Sequence, residues 1–282
     1  MEITKISHVS EFIQIIEENN SKYQRNQHFL YRGEPKLKYK LLPSLFRKTD
    51  SKPEKEVYIS KNSEIKILKE FMTEAASHIS NLSIDDMFRW VQYAQHFGVP
   101  TRLMDWSSNP LVALFFACNK HQKEDGRVYI LNSVGYRLLA EEKNHMDGKI
   151  IKEEVGKMIW DSEDTFSYPV LFKPYYFDRR MSAQSSQFMV WGYKNKALDE
   201  LINELEKGGK KRELIRDEIF PGAISNPSEE VEVLSTIQIE GKNKEQLQRE
   251  LDCIGINHAT LFPGLDGIGK AIEWRNRLTE TR

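Results

Sequence analysis

The sequence predicts an α+β fold, with a helix-rich N-terminal half and a mainly antiparallel sheet in the second half. Apolar residues recur every three or four positions through much of the first half, a spacing typical of amphipathic helices. After Gly126, short runs rich in β-branched and aromatic residues alternate with turn residues, as in strands. No linker, low-complexity tract or fixed-period repeat interrupts the 282 residues, so we expect one domain over residues 1–282.

Five elements are predicted before Gly126. Four of them are a short helix starting near Ser10, a strand at Phe29–Arg32, a helix within residues 54–79, and a helix that runs from a capping box at Ser83-Ile-Asp-Asp86 toward Phe97. The fifth has the clearest signal, because Asn109-Pro110 is an N-cap followed by proline at the first helical position. It predicts a buried helix over Leu111–Asn119.

The second half is predicted to supply most of the sheet. The predicted strands are Val128–Leu131, Tyr168–Phe177, Gln187–Trp191, Leu214–Phe220 and Val231–Ile239. The predicted helices are Lys196–Lys207, Asn243–Cys253 and a last helix that begins near Asp266.

Charge and composition exclude several broad classes of protein. The 41 basic and 42 acidic residues leave a net charge of −1, so no global field recruits nucleic acid or an anionic membrane. Cys118 and Cys253 lie far apart without metal-ligand spacing, and we expect both to be buried, reduced thiols. The longest apolar run, Leu111–Cys118, is far shorter than the roughly 20 residues that span a bilayer, and the N-terminus has no signal core. We therefore expect a cytoplasmic protein with no membrane partner.

Familiar catalytic and metal patterns are incomplete or missing in the sequence. Gly264–Ala271 fits GxxxxGK, but Ala271 stands where a nucleotide-binding loop needs Ser or Thr for magnesium. Neither HExxH nor Gly-x-Ser-x-Gly occurs. The residues therefore favour neither a metal site nor a serine-hydrolase site.

The first segment with chemical potential is the end of the strand at Phe29–Arg32. An arginine at a strand end can bind a phosphate through two parallel hydrogen bonds, and Gly33 permits another group to approach the backbone closely. Basic residues follow over Lys36–Lys48 with only Glu34 opposing them, which predicts a local anion-attracting stretch. The commoner alternative is a structural arginine beside a solvated basic loop.

The second segment, residues 92–117, concentrates polar side chains between a helix end and a helix start. Its chemically relevant residues are His96, Thr101, Arg102, Asp105, Trp106, Ser107 and Ser108. They could line a pocket floored by the apolar helix, and backbone donors at the helix start could hold an anion. Residue types alone favour equally a polar turn that satisfies its own backbone, with Trp106 in the core.

The third segment, Arg179–Trp191, leads from polar residues into an apolar strand. Gln184 and Gln187 lie at the start of that strand, where an amide can hydrogen-bond a sugar hydroxyl or another amide. Ordinary strand-edge amides are the commoner case.

Several blocks of the sequence resemble the FRG domain family, which is named for a Phe/Tyr-Arg-Gly motif. They are Tyr31-Arg32-Gly33, residues 94–107 (AQHFGVPTRLMDWS), residues 109–117 (NPLVALFFA), Gln184 with Phe188, and residues 255–267. The resemblance extends over about residues 25–275 and leaves residues 1–24 as an N-terminal helix extension.

The order of these blocks is also similar to that of the ADP-ribosyltransferase fold, and this second resemblance implies NAD as the substrate. On it, Arg32 with Gly33 would hold the NAD pyrophosphate or its adjoining ribose. Ser107 or Ser108 would line the nicotinamide pocket, and Gln184 or Gln187 would occupy the position of the catalytic glutamate. The remaining implied contacts are Tyr31, His96 and Trp106, which would stack on or orient NAD, with Thr101 and Arg102 as further NAD-binding residues.

The reaction implied is loss of nicotinamide from NAD through an oxocarbenium-like state, with capture of the ribose by a nucleophile on the target. An amide in place of the glutamate can bind the ribose 2′-hydroxyl but stabilises positive charge only weakly. Three outcomes remain open: catalysis proceeds with less electrostatic help, another carboxylate such as Asp105 or Asp178 supplies it, or the site binds without reacting.

The leading hypothesis is therefore an NAD-dependent ADP-ribosyltransferase-like enzyme that modifies a macromolecule, with nucleic acid (RNA or DNA) slightly favoured over protein. Basic residues at 36–48 and 207–212 support that preference. By analogy with such folds, we expect a bacterial toxin or phage-defence effector with an antitoxin or other inhibitory protein as partner. The alternatives are a non-catalytic module that senses a nucleotide or peptide, and an NAD-independent nuclease or hydrolase that uses His96 and Asp105.

Overall fold

A seven-stranded sheet forms the centre of the structure, a computed structural model that describes residues 4–22, 29–47, 61–79, 82–144, 150–161, 165–207 and 232–279. The strands are β1 (Thr4–Ile6), β2 (Phe29–Glu34), β3 (Leu103–Ser107), β4 (Gly126–Asn132), β5 (Val170–Phe172), β6 (Ser186–Val190) and β7 (Leu234–Ile239). Their order across the sheet is β1-β7-β4-β2-β3-β6-β5. β1 and β7 are parallel, and every other neighbouring pair is antiparallel.

Eleven α-helices occur within the described residues. They are α1 (Val9–Lys22), α2 (Lys61–Ala75), α3 (Met87–His96), α4 (Pro110–Cys118), α5 (Ser133–Asn144), α6 (Ile150–Trp160), α7 (Arg179–Ala183), α8 (Leu198–Glu206), α9 (Lys244–Cys253), α10 (His258–Leu261) and α11 (Leu265–Thr279). Within these residues, no helix has both the length and the apolar character needed to cross a membrane.

Helix α4 packs directly on β2, and Gly33 makes that contact possible. A Cβ atom on Gly33 would lie 1.9 Å from the Ala113 carbonyl oxygen and 2.6 Å from the Ala117 nitrogen. No side chain fits there, so the glycine lets the helix approach the strand backbone. A large core surrounds this contact, and a second core holds α2, α3 and α6 together beside β3 and β6.

The predicted mixture of helices and mostly antiparallel strands is confirmed, but the predicted division between the two halves is wrong. Four of the seven strands end by residue 132, and six of the eleven helices begin at or after residue 150. β3, α5 and α6 were not predicted from the sequence. The sheet interleaves strands from both halves, as when β4 pairs with β2 on one side and with β7 on the other.

Several predicted boundaries also change for local reasons. The strand expected at 168–177 shortens to β5, which lies between Pro169 and Pro174, and proline cannot donate to a strand ladder. The cap of α3 is Asp86 rather than Ser83, since the Asp86 carboxylate accepts from the Arg89 nitrogen at 3.3 Å. The strand predicted at residues 214–220 lies outside the described residues.

The α4 prediction is confirmed, with the Asn109 side chain accepting from the Leu111 nitrogen at 3.0 Å. The cysteine prediction is half wrong. Cys118 is buried in α4, and burial raises the pKa of its thiol to about 12, whereas Cys253 is exposed at the end of α9.

Candidate functional site

A cavity of about 200 Å³ opens on the face of the sheet that α4 covers. Strands β2, β3 and β6 form its floor, and helices α3, α4 and α7 form its walls. Its polar lining residues are Arg32, Gln95, His96, Asp105, Ser107, Arg180, Gln184 and Ser186. We call it the first cavity. It brings together residues from all three segments that the sequence singled out.

The floor of the first cavity opens because β2 and β3 pair at a single position, where Tyr31 lies opposite Ser107. Beyond that pair, the Arg32 guanidinium donates to the Asp105 carbonyl oxygen at 2.5 Å. A side chain thus replaces the ladder hydrogen bonds between the two strands. Arg32 is therefore the residue around which the sheet opens.

A buried carboxylate holds Arg32 in place. The Glu34 side chain accepts from Arg32 Nε at 2.9 Å and from Arg47 Nη2 at 3.1 Å, and Glu34 is only 3% exposed. Burial alone lowers the pKa of Arg32, but the charges of Glu34 and Asp105 outweigh it and raise that pKa above its usual range. Two guanidinium groups share the Glu34 carboxylate, and Asp105 places a second negative charge near Arg32.

Asp105 is oriented by a chain of hydrogen bonds from α3. Gln95 Nε2 donates to Asp105 Oδ2 at 2.7 Å, and the Thr101 hydroxyl donates to Gln95 Oε1 at 2.6 Å. Because Thr101 holds the amide oxygen, the amide nitrogen must face Asp105. Thr101 therefore acts behind the cavity lining, although the sequence singled it out as a direct NAD contact.

The Ser107 hydroxyl is not free, because it links the backbone before α4 to the backbone of Gln184. Its Oγ donates to the Gln184 carbonyl oxygen at 2.7 Å and accepts from the Asn109 nitrogen at 3.0 Å. Ser108 also bonds to this loop, since its nitrogen donates to the Ser185 carbonyl oxygen at 3.1 Å. Ser107 lines the first cavity, whereas Ser108 is exposed outside it.

The structure separates the two glutamine candidates. Gln184 ends α7, lines the first cavity and donates through Nε2 to the Leu261 carbonyl oxygen at 3.0 Å. Gln187 pairs with Trp106, whereas Ser186 and Phe188 on either side of it line the cavity. Because side chains alternate along a strand, Gln187 lies on the opposite face. Of the two, only Gln184 reaches the first cavity.

His96 lies at the mouth of the first cavity beside Asp178, with 3.5 Å between Nε2 and Oδ1. Burial lowers the pKa of His96, while the negative charge of Asp178 opposes that change. The imidazole is thus mainly neutral at pH 7. His96 and Asp105 both line the first cavity without a direct hydrogen bond between them, and the hydrolase alternative stays a prediction.

Arg102 and Trp106 occupy structural positions. Arg102 is 2% exposed, and its guanidinium donates to both oxygens of Glu64 and to the Trp191 carbonyl oxygen, away from the first cavity. Trp106 is 2% exposed in the large core, on the strand face opposite Asp105 and Ser107. Its backbone borders the cavity, but the alternation along β3 directs the ring away.

The anion-attracting stretch predicted over residues 36–48 is largely neutralised in the fold. Lys36 pairs with Glu124 at 2.6 Å, Lys40 with Glu200 at 3.0 Å, and Arg47 with Glu34. Two of these carboxylates come from distant parts of the chain, so the sequence window shows only Glu34 opposing the cations. Lys48 and the basic run at 208–212 lie outside the described residues.

Three polar residues of the first cavity, Gln95, Arg180 and Ser186, were not among the sequence-predicted site residues. Gln95 is in the block around His96, where its amide gave no distinguishing signal. Arg180 was passed over because it precedes the glutamines in an ordinary polar run, although a tandem Arg179-Arg180 next to a strand mouth is a usable signal. Within the described residues, no group of three His, Cys, Asp or Glu side chains could hold a metal ion.

Comparison with known proteins adds one finding. A family model described as the FRG domain matches residues 27–126, which span β2, β3, α4 and the start of β4 and include Arg32, Gln95, Asp105 and Ser107. No curated protein and no solved structure matches the chain. The ADP-ribosyltransferase-like fold therefore stays a prediction.

Proposed function

From an FRG domain at residues 27–126, we propose that this protein is an NAD-dependent ADP-ribosyltransferase that modifies a macromolecule. The observation that carries the proposal is the convergence of Arg32, Ser107 and Gln184, which lie far apart in the sequence, on one cavity. These are the residues that the resemblance assigns to the phosphate, the nicotinamide pocket and the catalytic position. Their meeting supports the assignment, because the resemblance requires these three residues to face one ligand.

The size of the first cavity supports a divided binding mode for NAD. Its volume of about 200 Å³ is below the roughly 300–1,000 Å³ of pockets that enclose a small molecule, so it suits only the nicotinamide end. Arg32 also lines a neighbouring cavity of about 280 Å³ together with Arg47 and Ser44, which we call the Arg47 cavity. Arg32 and Arg47 both line this cavity, with Asp105 on the same wall, and we infer that the pyrophosphate binds to the two guanidinium groups.

In the proposed reaction, the bond between the nicotinamide nitrogen and ribose C1′ breaks, and its electron pair leaves with nicotinamide. A nucleophile on the acceptor forms a new bond to C1′ and releases its proton. Positive charge develops on the ribose between these two events. Asp105 is a carboxylate that lines the first cavity, and it would stabilise that charge. Gln184 would bind a ribose hydroxyl, as an amide can.

The test is release of nicotinamide and transfer of label from NAD to pools of RNA, denatured DNA and cellular protein. Gln184→Ala should lower turnover by about 100-fold, as loss of a transition-state hydrogen bond does elsewhere. Gln187→Ala is the matched control, because this glutamine lies on the opposite face of the same strand region. Equal activity in both variants, or no nicotinamide release from folded protein, would contradict the proposal.

A non-catalytic sensor of a nucleotide is the second candidate, and one observation favours it. The hydroxyl of Ser107 and the amide of Gln184 are both engaged with backbone carbonyls, and no carboxylate stands at position 184. Such a site would bind NAD or a related nucleotide without releasing nicotinamide. Calorimetry with NAD beside the turnover assay separates the two functions.

A further inference from the structure

A second cavity of about 420 Å³ adjoins the first one. Gly33, Phe116 and Arg180 line both cavities, so the two form a continuous groove. The other walls of the second cavity come from the α4–β4 loop and from α10 and α11. Its walls combine residues inside the family match, such as Lys120, with residues from the C-terminal helices, and none of the proposed catalytic residues lines it.

Arg180 is a half-buried cation without a carboxylate partner among the described residues. Its backbone nitrogen is bound by the Asp178 cap at 2.7 Å, but its guanidinium carbon lies 4.5 Å from the centre of the Phe262 ring. Burial lowers the pKa of Arg180, with Asp105 and Asp178 opposing that change. A guanidinium held in this way can still form two parallel hydrogen bonds with a phosphate.

Two further cations in the second cavity are also unpaired within the part of the chain that the structure describes. Lys120 follows α4 and Lys270 lies in α11, and both are exposed. Asp266 is the only carboxylate among the residues that line this cavity. This differs from the stretch after β2, where Lys36 is paired with Glu124 and Lys40 with Glu200.

Aromatic rings lie among these cations. His258 is stacked against Phe262 with 5.9 Å between ring centres and 25° between planes, and Phe116 meets Phe262 edge to face at 6.1 Å. Burial lowers the pKa of His258, as do the neighbouring charges of Lys270 and Lys120, so its ring is mainly neutral at pH 7. Flat rings beside unpaired cations bind a base and a phosphate together.

The geometry points to the second cavity as the binding site for a nucleotide unit of single-stranded nucleic acid, the acceptor in the proposed reaction. This inference rests on the proposed function and names its substrate class. An acidic protein would satisfy the cations but would offer no flat base for the aromatic rings. The Arg47 cavity already supplies Arg32 and Arg47 for the pyrophosphate of NAD, which leaves the second cavity for the acceptor.

The test measures binding of fluorescent single-stranded RNA and DNA of about 12 nucleotides by anisotropy, at low salt and without NAD. Lys120→Ala combined with Lys270→Ala should weaken binding about tenfold or more. It should also lower the slope of log affinity against log salt by about 1.4, because two phosphate contacts are lost. Lys69→Ala combined with Lys152→Ala removes the same charge from α2 and α6 and should change neither value by a comparable amount.

Arg180→Ala should weaken oligonucleotide binding in the same assay, and Phe262→Leu tests the base contact while keeping an apolar side chain. Nicotinamide release from NAD alone is measured on every variant. If the two pairs of lysine variants lose affinity equally, or if folded wild-type protein binds no oligonucleotide, the inference is overturned.

The inference is also overturned if the cavity variants lose NAD cleavage in the absence of any acceptor, because the cavity would then hold the adenosine half of NAD. Failure of the proposed function has a different signature. Wild-type protein would release no nicotinamide, whether or not it bound the oligonucleotide.

Discussion

The first and second cavities differ in whether their polar side chains already have hydrogen-bond or ion-pair partners. In the first cavity, Arg32 is held by Glu34 and a carbonyl, Ser107 by the Gln184 backbone, and Gln184 by Leu261. In the second cavity, Arg180 and two lysines have no carboxylate partner among the described residues. The first cavity has its geometry set before a ligand arrives, whereas the second has cations available for an anion.

The largest expected effect comes from removing Arg32, and Arg180 of the second cavity is the matched comparison. Arg32→Ala leaves the buried Glu34 with Arg47 alone and the Asp105 carbonyl unpaired, so we expect a loss of about 3 kcal/mol in the free energy of unfolding. Arg180→Ala removes no ion pair and should change stability by less than about 1 kcal/mol. Urea denaturation followed by circular dichroism measures both. Equal losses would show that the contrast between the cavities is wrong.

The next effect concerns the buried Lys244, which supports the second cavity. Its Nζ donates to the carbonyl oxygens of Pro35 at 2.7 Å and of Lys120 and His121 at 3.2 Å each. Lys244→Met leaves these carbonyls unpaired, and we expect about 2 kcal/mol of lost stability. Oligonucleotide binding should weaken while nicotinamide release persists, because Lys120 loses its anchor. Lys242→Met, at an exposed neighbouring lysine, is the control and should leave stability and binding close to wild type.

A smaller effect tests the amide of the first cavity. Gln184→Glu supplies a carboxylate where positive charge is proposed to develop, and we expect nicotinamide release to rise about tenfold, or about 1.4 kcal/mol of barrier. The same change at Gln187 should leave the rate unaltered, since that residue lies on the other face. A slower Gln184→Glu enzyme that remains folded would argue for the sensor function.

The smallest effect is on the pH dependence of stability. Burial lowers the pKa of both His96 and His258 in the folded state, so the unfolded chain binds more protons between the folded value and about 6.5. The stability that these two neutral histidines contribute is fully present above about pH 6.5. It is lost as the pH falls from that value through their lower folded-state pKa values. His96→Gln and His258→Gln should each reduce this decline by less than about 1 kcal/mol in unfolding experiments at pH 7.5 and 5.5.

Adding an oligonucleotide to the same unfolding experiments should affect the two histidines differently. A bound phosphate would raise the pKa of His258 but not that of His96, which lies beside Asp178 in the first cavity. We therefore expect RNA to diminish the acid-dependent loss assigned to His258 only. An equal change in both histidine variants would indicate a nonspecific effect of the polyanion.

The sequence predicted the elements whose signals are local. The Asn109-Pro110 start of α4 and the arginine and glycine of β2 depend on neighbouring residues alone, and both elements are present. β3 was missed because Leu103–Ser107 has a mixed apolar and polar composition, and its strand conformation depends on pairing with β6. The cap at Asp86 was misplaced because a nearby serine is an equally suitable residue type.

The candidate site could be predicted in part for the same reason. Arg32, Ser107 and Gln184 were named from residue types and a resemblance, and they do share a cavity. Arg102 was named beside them, yet it is buried against Glu64, a partner 38 residues away that no local pattern reveals. The charge of the basic stretch was overstated because its counterions come from other segments.

Local sequence is enough to place the start of helix α4, the strand that carries the arginine and the polar residues available for a site. Those features depend on capping, backbone freedom and residue chemistry within a few positions. The folded arrangement sets which glutamine faces the first cavity, which cations are neutralised and which described cations lie together without a carboxylate partner. These outcomes depend on strand register and on contacts between distant segments, and a one-residue shift in register would exchange Gln187 with its neighbours.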